Sequence, residues 1–292
     1  MNNGWRTIIV KPYDNLSLKD NCLILKNQNN EEKSIPIDQI STLMISSDKG
    51  AISLPLIARL AELSVKVIFC NHKYMPVCEL NGINLHFESA GRLMDQSNWT
   101  DRRKHAVWRQ IVELKISCQI ELLHLLKLEI PEVLRCSVKH VQSNDETNRE
   151  AIAAKAYFKS LFGASFMRHA PDHINAALNY GYTILCSYFS RTISMYGYHT
   201  ALGIHHCNRQ NAYNLACDLM EPFRPFVDYI VYNHQTDVLD WEYQQLLLQL
   251  FYNRCSYDHK KMSVSSAIDL FVLDTLKAMN EPRKRLKVIQ FE

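Results

Sequence analysis

The first ninety residues carry the short apolar runs and turn signals that are typical of β-strands. Strands are predicted over Trp5 to Val10, Cys22 to Leu25, Ser34 to Ile37, Ile40 to Ile45, Val65 to Cys70 and Met75 to Leu80. The polar residues 28–31 join the second and third of these strands into a hairpin. Ser53 stands in the N-cap position of one short helix that extends to about Leu63. This pattern predicts a compact β-rich domain with a single small helix.

Beyond about residue 100 the apolar positions follow the 3.6-residue period of α-helices. The clearest stripe lies between Thr100 and Leu126 and consists of Val107, Ile111, Leu114, Cys118, Leu122 and Leu125. Further helices are predicted over 131–141, 149–162, 172–196, 238–252 and 263–278, and a linker is predicted at 89–97. We therefore expect an α+β chain, in which residues 1–90 form a β-rich domain and residues 91–292 form a larger all-α domain.

The composition is that of a globular protein, with 47% apolar and 22% charged residues in a chain of 292. No apolar run approaches the roughly 20 residues that span a bilayer. The first residues contain no apolar segment long enough for a secretory signal, so we expect a cytoplasmic protein. The nine cysteines form no CxxC pair, which argues against a structural zinc site and a thioredoxin-like motif.

The net charge of +3 is too small to indicate nucleic-acid binding by itself. The basic residues are nevertheless clustered in two places. One cluster is Arg102, Arg103, Lys104, His105 and Arg109, and the other is Arg283, Lys284, Arg285 and Lys287. Either cluster could neutralise phosphates or form an ordinary solvated surface.

The stretch GIHHCNRQNAYNLACDLMEPFRPFVD, residues 203–228, is dense in side chains that bind metals or phosphates. A helix here would carry four polar residues on one face, namely Asn211, Asn214, Asp218 and Glu221. Pro222 and Pro225 predict that the helix ends or kinks near Glu221. An acid at this break and a histidine on the preceding loop could both bind the same metal ion. A solvated polar face would give the same pattern.

A second carboxylate of interest, Glu150, heads the helix predicted over 149–162. Thr147 and Glu150 have the S/T-x-x-E spacing of a capping box, which would explain both residues without any chemistry. Glu150 also shares a helix face with Ala154, Tyr157 and Leu161, which places its carboxylate toward the interior. A buried charge needs a partner or a metal ion. Both interpretations remain open at this point.

Taken together, Glu150, His206 and Glu221 offer two carboxylates and one imidazole. This set of ligands suits Mg²⁺ or Mn²⁺, and it would leave coordination positions for water and phosphate oxygens. It is a poor structural zinc site. The combination therefore indicates metal-assisted phosphoryl transfer.

Three segments carry a resemblance to a known family: WTDRRKHAVWRQIVELKISCQ at 99–119, TNREAIAAKAYFKSLFG at 147–163 and the stretch 203–228. Together they resemble the CRISPR-associated spacer integrase, the catalytic subunit of the adaptation complex, and most of all the subtype of type II systems. The order of the segments, their separation and the domain plan agree, so the resemblance covers essentially the whole chain. The core DLMEPFRP is its most specific part.

The resemblance implies that Glu150, His206 and Glu221 are the catalytic, metal-binding residues and that the ion is Mg²⁺ or Mn²⁺. His206 is preferred over His205, because the fifteen-residue step to the acid and the Gly-Ile lead-in match the family motif. His205 would then contact DNA or pack. Asp218 would be an additional ligand, a residue supporting the ligands or an exposed acid.

The resemblance also implies partners and a reaction. The β-rich domain would form a homodimer, and two dimers would flank a dimer of a small partner subunit. A captured double-stranded DNA would use its 3′-hydroxyls to attack the edges of a CRISPR repeat. The head of the helix at 100–109 could line a phosphate track together with Arg149, Arg168, Arg209 and Arg224. Arg224 could instead pair with the site acid.

Two other functions would use the same residues differently. A hydrolytic metal-dependent nuclease of branched DNA would replace the 3′-hydroxyl by water at the same triad. A non-catalytic DNA-binding scaffold would use Glu150 as a helix cap and Glu221 as a surface acid.

Overall fold

The structure is a computed structural model that describes the chain except for residues 1–3, 5, 11–13, 46–48, 72–75, 81–85, 235, 237 and 282–283. It divides into two compact units, Met1–Ser89 and Ala90–Glu292. The first is rich in strands and the second is mainly helical, which confirms the α+β fold class. The predicted strand starts at Trp5 and Met75, and the basic residue Arg283, lie outside the described residues.

The first unit contains two four-stranded sheets. One has the order β1 (Arg6–Val10), β5 (Ile40–Ile45), β7 (Lys66–Cys70) and β8 (Pro76–Leu80), with only the last pair antiparallel. The other has the order β4 (Glu32–Pro36), β3 (Cys22–Lys26), β2 (Asn15–Lys19) and β6 (Ala51–Ile52). The predicted hairpin is therefore confirmed, since β3 pairs antiparallel with β4.

One apolar core joins these sheets to helix α1 (Leu54–Glu62). Leu23 of β3, Leu43 of β5 and Leu56 of α1 are all fully buried in it. Ser53 precedes the helix as predicted, but its side chain makes no capping hydrogen bond. The N-terminal proline of α1 explains why the helix tolerates this, because Pro55 leaves one backbone donor fewer to satisfy.

The second unit is built from helices around the long, buried α3 and α6. The helices are α2 (Ser89–Ser97), α3 (Asp101–Leu125), α4 (Glu132–Lys139), α5 (Arg149–Phe162), α6 (His173–Met195), α7 (Asn214–Met220), α8 (Arg224–Asn233), α9 (Trp241–Leu248) and α10 (Val264–Asn280). Helix α3 packs against α4, α5, α8 and α10. Its buried face is wider than the predicted stripe, because it includes Trp108, Lys115 and Gln119, whereas Leu125 is exposed.

Two features of the second unit differ from the sequence prediction. The segment predicted as a linker at 89–97 is helix α2, whose Gln96 side chain bonds backbone groups of His199 and Leu202. The unit also contains a three-stranded antiparallel sheet of β9 (Arg254–Tyr257), β10 (Lys260–Ser263) and β11 (Ile289–Phe291). It is therefore mainly helical rather than all-α. Within the described part of the chain, no helix is long and apolar enough to span a membrane.

Candidate active site

The N-terminus of α5 is capped by Asp145 and not by the predicted box of Thr147 and Glu150. The two carboxylate oxygens of Asp145 accept hydrogen bonds from the backbone N–H groups of Arg149 and Glu150, at 2.8 and 2.9 Å. Asn148 takes the N-cap position in a left-handed conformation, with φ 52° and no side-chain cap. The capping-box interpretation is therefore wrong. Because Asp145 provides the cap, the Glu150 carboxylate is available for another contact.

That contact is Lys115, a buried residue in the middle of α3. Its ammonium nitrogen lies 2.6 Å from Glu150 Oε1 and 2.5 Å from Glu221 Oε2, and only 9% of its side chain is exposed. Two carboxylates from α5 and from the turn after α7 thus converge on one positive charge. The Lys115 pKa is raised: burial lowers it, but the attraction of Glu221 and Glu150 outweighs that effect.

Glu221 lies in a short 3₁₀ turn, Glu221–Phe223, where α7 ends and α8 begins. The prolines that follow it stop the α-helical hydrogen-bonding pattern, so the predicted break near Glu221 is confirmed. The carboxylate is 3% exposed and also lies 2.8 Å from Arg224, whose guanidinium stacks over the Tyr182 ring at 4.7 Å. Burial raises the Glu221 pKa, but Arg224 and Lys115 more than offset this and lower it.

Asp218, one turn before Glu221, is fully buried and organises the loop that carries the two histidines. Its carboxylate accepts from the backbone N–H groups of Ile204, His205 and His206, at 2.6, 3.0 and 3.0 Å. Any Cβ at Gly203 would collide with the His206 carbonyl oxygen and lie 2.8 Å from Asp218 Oδ2, so the loop needs glycine there. Of the three roles open to Asp218, the structure gives it the supporting one.

The two histidines have different environments. His206 Nδ1 lies 2.6 Å from Asp218 Oδ1, and this hydrogen bond is the main reason why the His206 pKa is raised. With Nδ1 engaged, Nε2 is the ring nitrogen available for a further contact. His205 stacks on the buried Trp108 of α3, with ring centres 4.3 Å apart and planes at 2°, and contacts Asn144. His205 therefore packs.

The predicted polar face over 211–221 is not solvated. The helix begins only at Asn214, and Asn214, Asp218 and Glu221 are 4%, 0% and 2% exposed. Asn214 donates to the carbonyl oxygens of Ala201 and Asn208, which lie on the histidine loop. This polar face therefore contacts the histidine loop, and the interpretation of the face as a solvated surface is wrong. The scaffold hypothesis is also wrong about both acids, since Glu221 is buried and Glu150 caps no helix.

Two carboxylates and one imidazole are donor types that suit a hard divalent cation. Glu150 and Glu221 already share one cation, the Lys115 ammonium. The His206 imidazole lies close enough to Glu221 for that carboxylate to raise its pKa. Across the described residues, however, no group of three His, Cys, Asp or Glu side chains is arranged to hold a metal ion. The three-ligand set stays a prediction.

Several of the basic residues have structural partners. Arg103 bonds the carbonyl oxygens of Ala278 and Glu281, and Lys284 and Lys287 pair with Asp274 and Asp258. Arg168 bonds Asn175 and Asn179 and stacks over Tyr182. Arg224 takes the ion-pair role with Glu221.

The two basic clusters nevertheless meet at one place. A cavity of about 590 Å³ is lined by Arg109 from the first cluster and Arg285 from the second. Arg109 pairs there with Glu113 of the same helix, at 2.7 Å, and half of its side chain is exposed. Gln110 of α3 joins the two segments, because its side-chain oxygen accepts from the backbone N–H of Leu286.

Sequence reasoning missed three residues of this site: Lys115, Asp145 and Trp108. The only signal for Lys115 is its position on α3, two helical turns after Trp108 and among apolar neighbours, where a lysine needs a buried partner. An aspartate at position 145 indicates a helix cap only if the first residue of α5 is known to within one position. Nothing in the sequence pairs Trp108 with His205.

Comparisons with known proteins agree with this architecture. The family described as CRISPR associated protein Cas1 matches residues 7–238. The CRISPR-associated endonuclease Cas1 of Neisseria meningitidis serogroup C (strain 8013) is 31% identical over 274 residues, which is 92% of this chain and 90% of that protein. A Francisella tularensis subsp. novicida (strain U112) relative, CRISPR-associated endonuclease Cas1 1, is 28% identical over 73% of each chain.

Solved structures share the fold at lower identity. A casposase bound to an integration product has a TM-score of 0.78 and 19% identity, over 97% of this chain and 92% of that one. A Cas1 protein from Thermotoga maritima has a TM-score of 0.73 and 16% identity, over 98% and 100%. A Cas6-RT-Cas1–Cas2 complex matches at 0.74 and 18%, over 97% of this chain and 36% of that one. Because the family match spans most of the sequence and the Neisseria relative aligns along nearly all of it, the chain belongs to the CRISPR-associated protein Cas1 family.

Proposed function

We propose that this chain is a metal-dependent DNA integrase and endonuclease of CRISPR adaptation, which inserts short foreign-DNA duplexes into the CRISPR array by 3′-hydroxyl transesterification. The observation that carries the proposal is the convergence of Glu150 and Glu221, from separate helices, on one buried cationic position. Placing a buried carboxylate beside a partly exposed one is costly unless a cation binds between them. The named activity of the Neisseria relative supports the same reaction class.

Glu150, Glu221 and His206 would hold Mg²⁺ or Mn²⁺. When bound, such an ion polarises the scissile phosphate and favours the ionised 3′-hydroxyl. The protein's own contribution is positional. Asp218 fixes the histidine loop and holds Nδ1 of His206, so that Nε2 is presented as the ligand. Arg224 and the Tyr182 ring hold Glu221 in place.

In the reaction, the 3′-oxygen of the captured duplex forms a bond to a repeat phosphorus while the bond from that phosphorus to its original 3′-oxygen breaks. One phosphodiester replaces another, the attacking hydroxyl loses its proton to solvent, and the leaving oxygen gains one. No protein nucleophile is needed, so holding the reactants in line is the main task of the protein.

The partners belong to the same proposal. They are double-stranded DNA, a second copy of this chain bound through the β-rich unit, and the small partner subunit. A casposase bound to an integration product and a Cas1–Cas2 complex share the fold of this chain, which supports DNA and the small subunit as partners. Arg109 and Arg285, at one cavity, are the basic side chains we assign to phosphate contacts.

A joining assay with Glu221→Gln tests the proposal. The protein is given the partner subunit, Mn²⁺, a duplex with free 3′-hydroxyls and a plasmid that carries a repeat. We expect joined products from the unmodified protein and a loss of at least about 100-fold with Glu221→Gln, because one charged ligand is removed. Glu150→Gln should behave alike, and the exposed Glu129→Ala is the matched control.

The products separate the alternatives. Cut but unjoined DNA would favour the hydrolytic nuclease of branched DNA. Normal joining by a Glu221→Gln protein with an unchanged circular dichroism spectrum would refute Glu221 as a metal ligand. No joined or cut DNA from the unmodified protein would favour a role without catalysis.

A further inference from the structure

Lys115 occupies the position between the two site carboxylates. Its ammonium contacts Glu150 Oε1 and Glu221 Oε2 at the same time, at 2.6 and 2.5 Å, in a pocket where Glu221 is 3% and Lys115 9% exposed. An ammonium group that bridges two acids at such distances fills the place where a small cation would sit. The Lys115 ammonium is therefore a cation that the protein itself supplies at this position.

The charges of this cluster already balance. Glu150 and Glu221 contribute two negative charges, and Lys115 and Arg224 contribute two positive charges at 2.5 to 2.8 Å. The neighbouring Asp218 carboxylate is occupied by three backbone N–H groups and His206. A divalent ion that enters such a cluster adds two positive charges to a neutral set, next to two cations that repel it.

We propose that Lys115 holds the two carboxylates together in the free protein and must release at least one of them for the divalent ion, so that the ion binds together with a DNA phosphate and only weakly to the protein alone. This inference rests on the proposed function, because it concerns the same site. Lys115 is here a positioning residue for the acids and a competitor of the ion.

The phosphodiester supplies what the free cluster lacks. Its negative charge compensates part of the added positive charge. Its non-bridging oxygens can accept hydrogen bonds from the Lys115 ammonium once that group has left the carboxylates. Ion and DNA then bind with positive coupling, and the coupling acts equally in both directions: the ion must also tighten the DNA. Replacing a lysine that served only to stabilise the fold would leave this coupling unchanged, whereas replacing a competing lysine should weaken it.

Removing the Lys115 charge tests the inference without measuring catalysis. Free Mn²⁺ is quantified by electron paramagnetic resonance in titrations of the full-length protein. We expect Lys115→Met to bind Mn²⁺ at least about tenfold more tightly than the unmodified protein in the absence of DNA, because a unit charge next to the ion is gone. Lys155→Met, an exposed lysine on α5, is the matched control and should leave the affinity unchanged.

The second arm measures the coupling between the ion and DNA, first in the unmodified protein. A short blunt DNA duplex is added to the unmodified protein. The Mn²⁺ that the duplex itself binds is measured in a parallel titration of the Glu221→Gln protein with the same duplex, and this amount is subtracted. We expect DNA to tighten Mn²⁺ binding by at least about tenfold, and Mn²⁺ to tighten DNA binding by the same factor. A phosphate oxygen that binds the ion would couple ion and DNA by itself, so the arm is repeated with Lys115→Gln, which keeps a hydrogen-bond donor beside the acids but no charge. We expect a coupling at least about threefold smaller in this variant, which also replaces Lys115→Met if Lys115→Met fails to fold.

The outcomes distinguish the two proposals. An unchanged Mn²⁺ affinity of Lys115→Met without DNA, or a coupling in Lys115→Gln equal to that of the unmodified protein, would overturn the role of Lys115 and leave the metal site intact. If no Mn²⁺ binds above the Glu221→Gln background in any arm, the metal site itself is refuted.

Discussion

At the scale of single residues, buried charges define this site. Lys115, Asp218 and Glu221 are each less than a tenth exposed, and each is bonded to groups from other segments. The sequence predicts which residues are chemically suited to the site, namely Glu150, His206 and Glu221. It does not predict their partners, because a pairing such as 115 with 221 depends on how distant helices pack.

Asp218→Asn should loosen the histidine loop. The carboxylate accepts three backbone N–H groups and His206 Nδ1, and an amide would present its own NH₂ group to some of these donors. We expect a loss of about 2–3 kcal/mol in the free energy of unfolding, measured with urea. The His206 ring signals in nitrogen-15 NMR should also change, because the proton on Nδ1 loses its acceptor.

Asp101→Asn is the control for this change, since Asp101 is exposed in the first turn of α3. It should alter stability by less than about 0.5 kcal/mol. If Asp218→Asn leaves both the stability and the His206 signals unchanged, the supporting role of Asp218 is wrong.

At the scale of elements, the long helices could be predicted because their periodicity extends over many residues, and the hairpin of β3 and β4 because a polar turn separates its strands. The short strands β6, β9, β10 and β11 could not, since two to four residues give too little alternation to recognise. Strand β2 has five residues, of which only two are apolar. Helix α2 was missed because its sequence is mostly polar. It is held instead by a tertiary contact, the Gln96 side chain on the backbone near residue 200.

The cap of α5 offers a test at this scale. Asp145→Ala removes the acceptor of two backbone N–H groups and should cost about 1–2 kcal/mol of stability. Thr147→Ala should cost less than about 0.5 kcal/mol, because Thr147 caps nothing and only accepts from the Arg149 side chain at 3.3 Å. Urea unfolding of both variants measures the difference. A larger loss with Thr147→Ala would restore the capping box.

At the scale of the whole molecule, a buried acid joins three helices of the second unit. Asp228 of α8 accepts hydrogen bonds from Tyr157 of α5, at 2.8 Å, and Tyr182 of α6, at 2.5 Å. Burial raises the Asp228 pKa to about 6, although the two hydroxyl groups oppose this. Between about pH 4 and pH 6 the folded protein therefore retains a proton at this acid that the unfolded chain, with an ordinary pKa of 3.8, would release.

This difference makes stability depend on pH. A raised pKa contributes stability at low pH, and the contribution is lost as the pH rises through about 6. We expect the unfolding free energy of the unmodified protein minus that of Asp228→Asn to fall by about 1 kcal/mol between pH 5 and pH 7.5. Urea titrations at both pH values measure it. A difference that does not vary with pH would contradict a protonated Asp228.

The bridge formed by Lys115 has a consequence for how sequences of this kind can diverge. Its three members come from α3, α5 and the turn after α7, at positions 115, 150 and 221, and their charges balance once Arg224 is included. A change of charge at any one of them disturbs the balance around the other two, so its effect depends on the residues at those positions. We therefore expect substitutions at the three positions to be correlated. A change of charge at one position should be followed by a compensating change at a second.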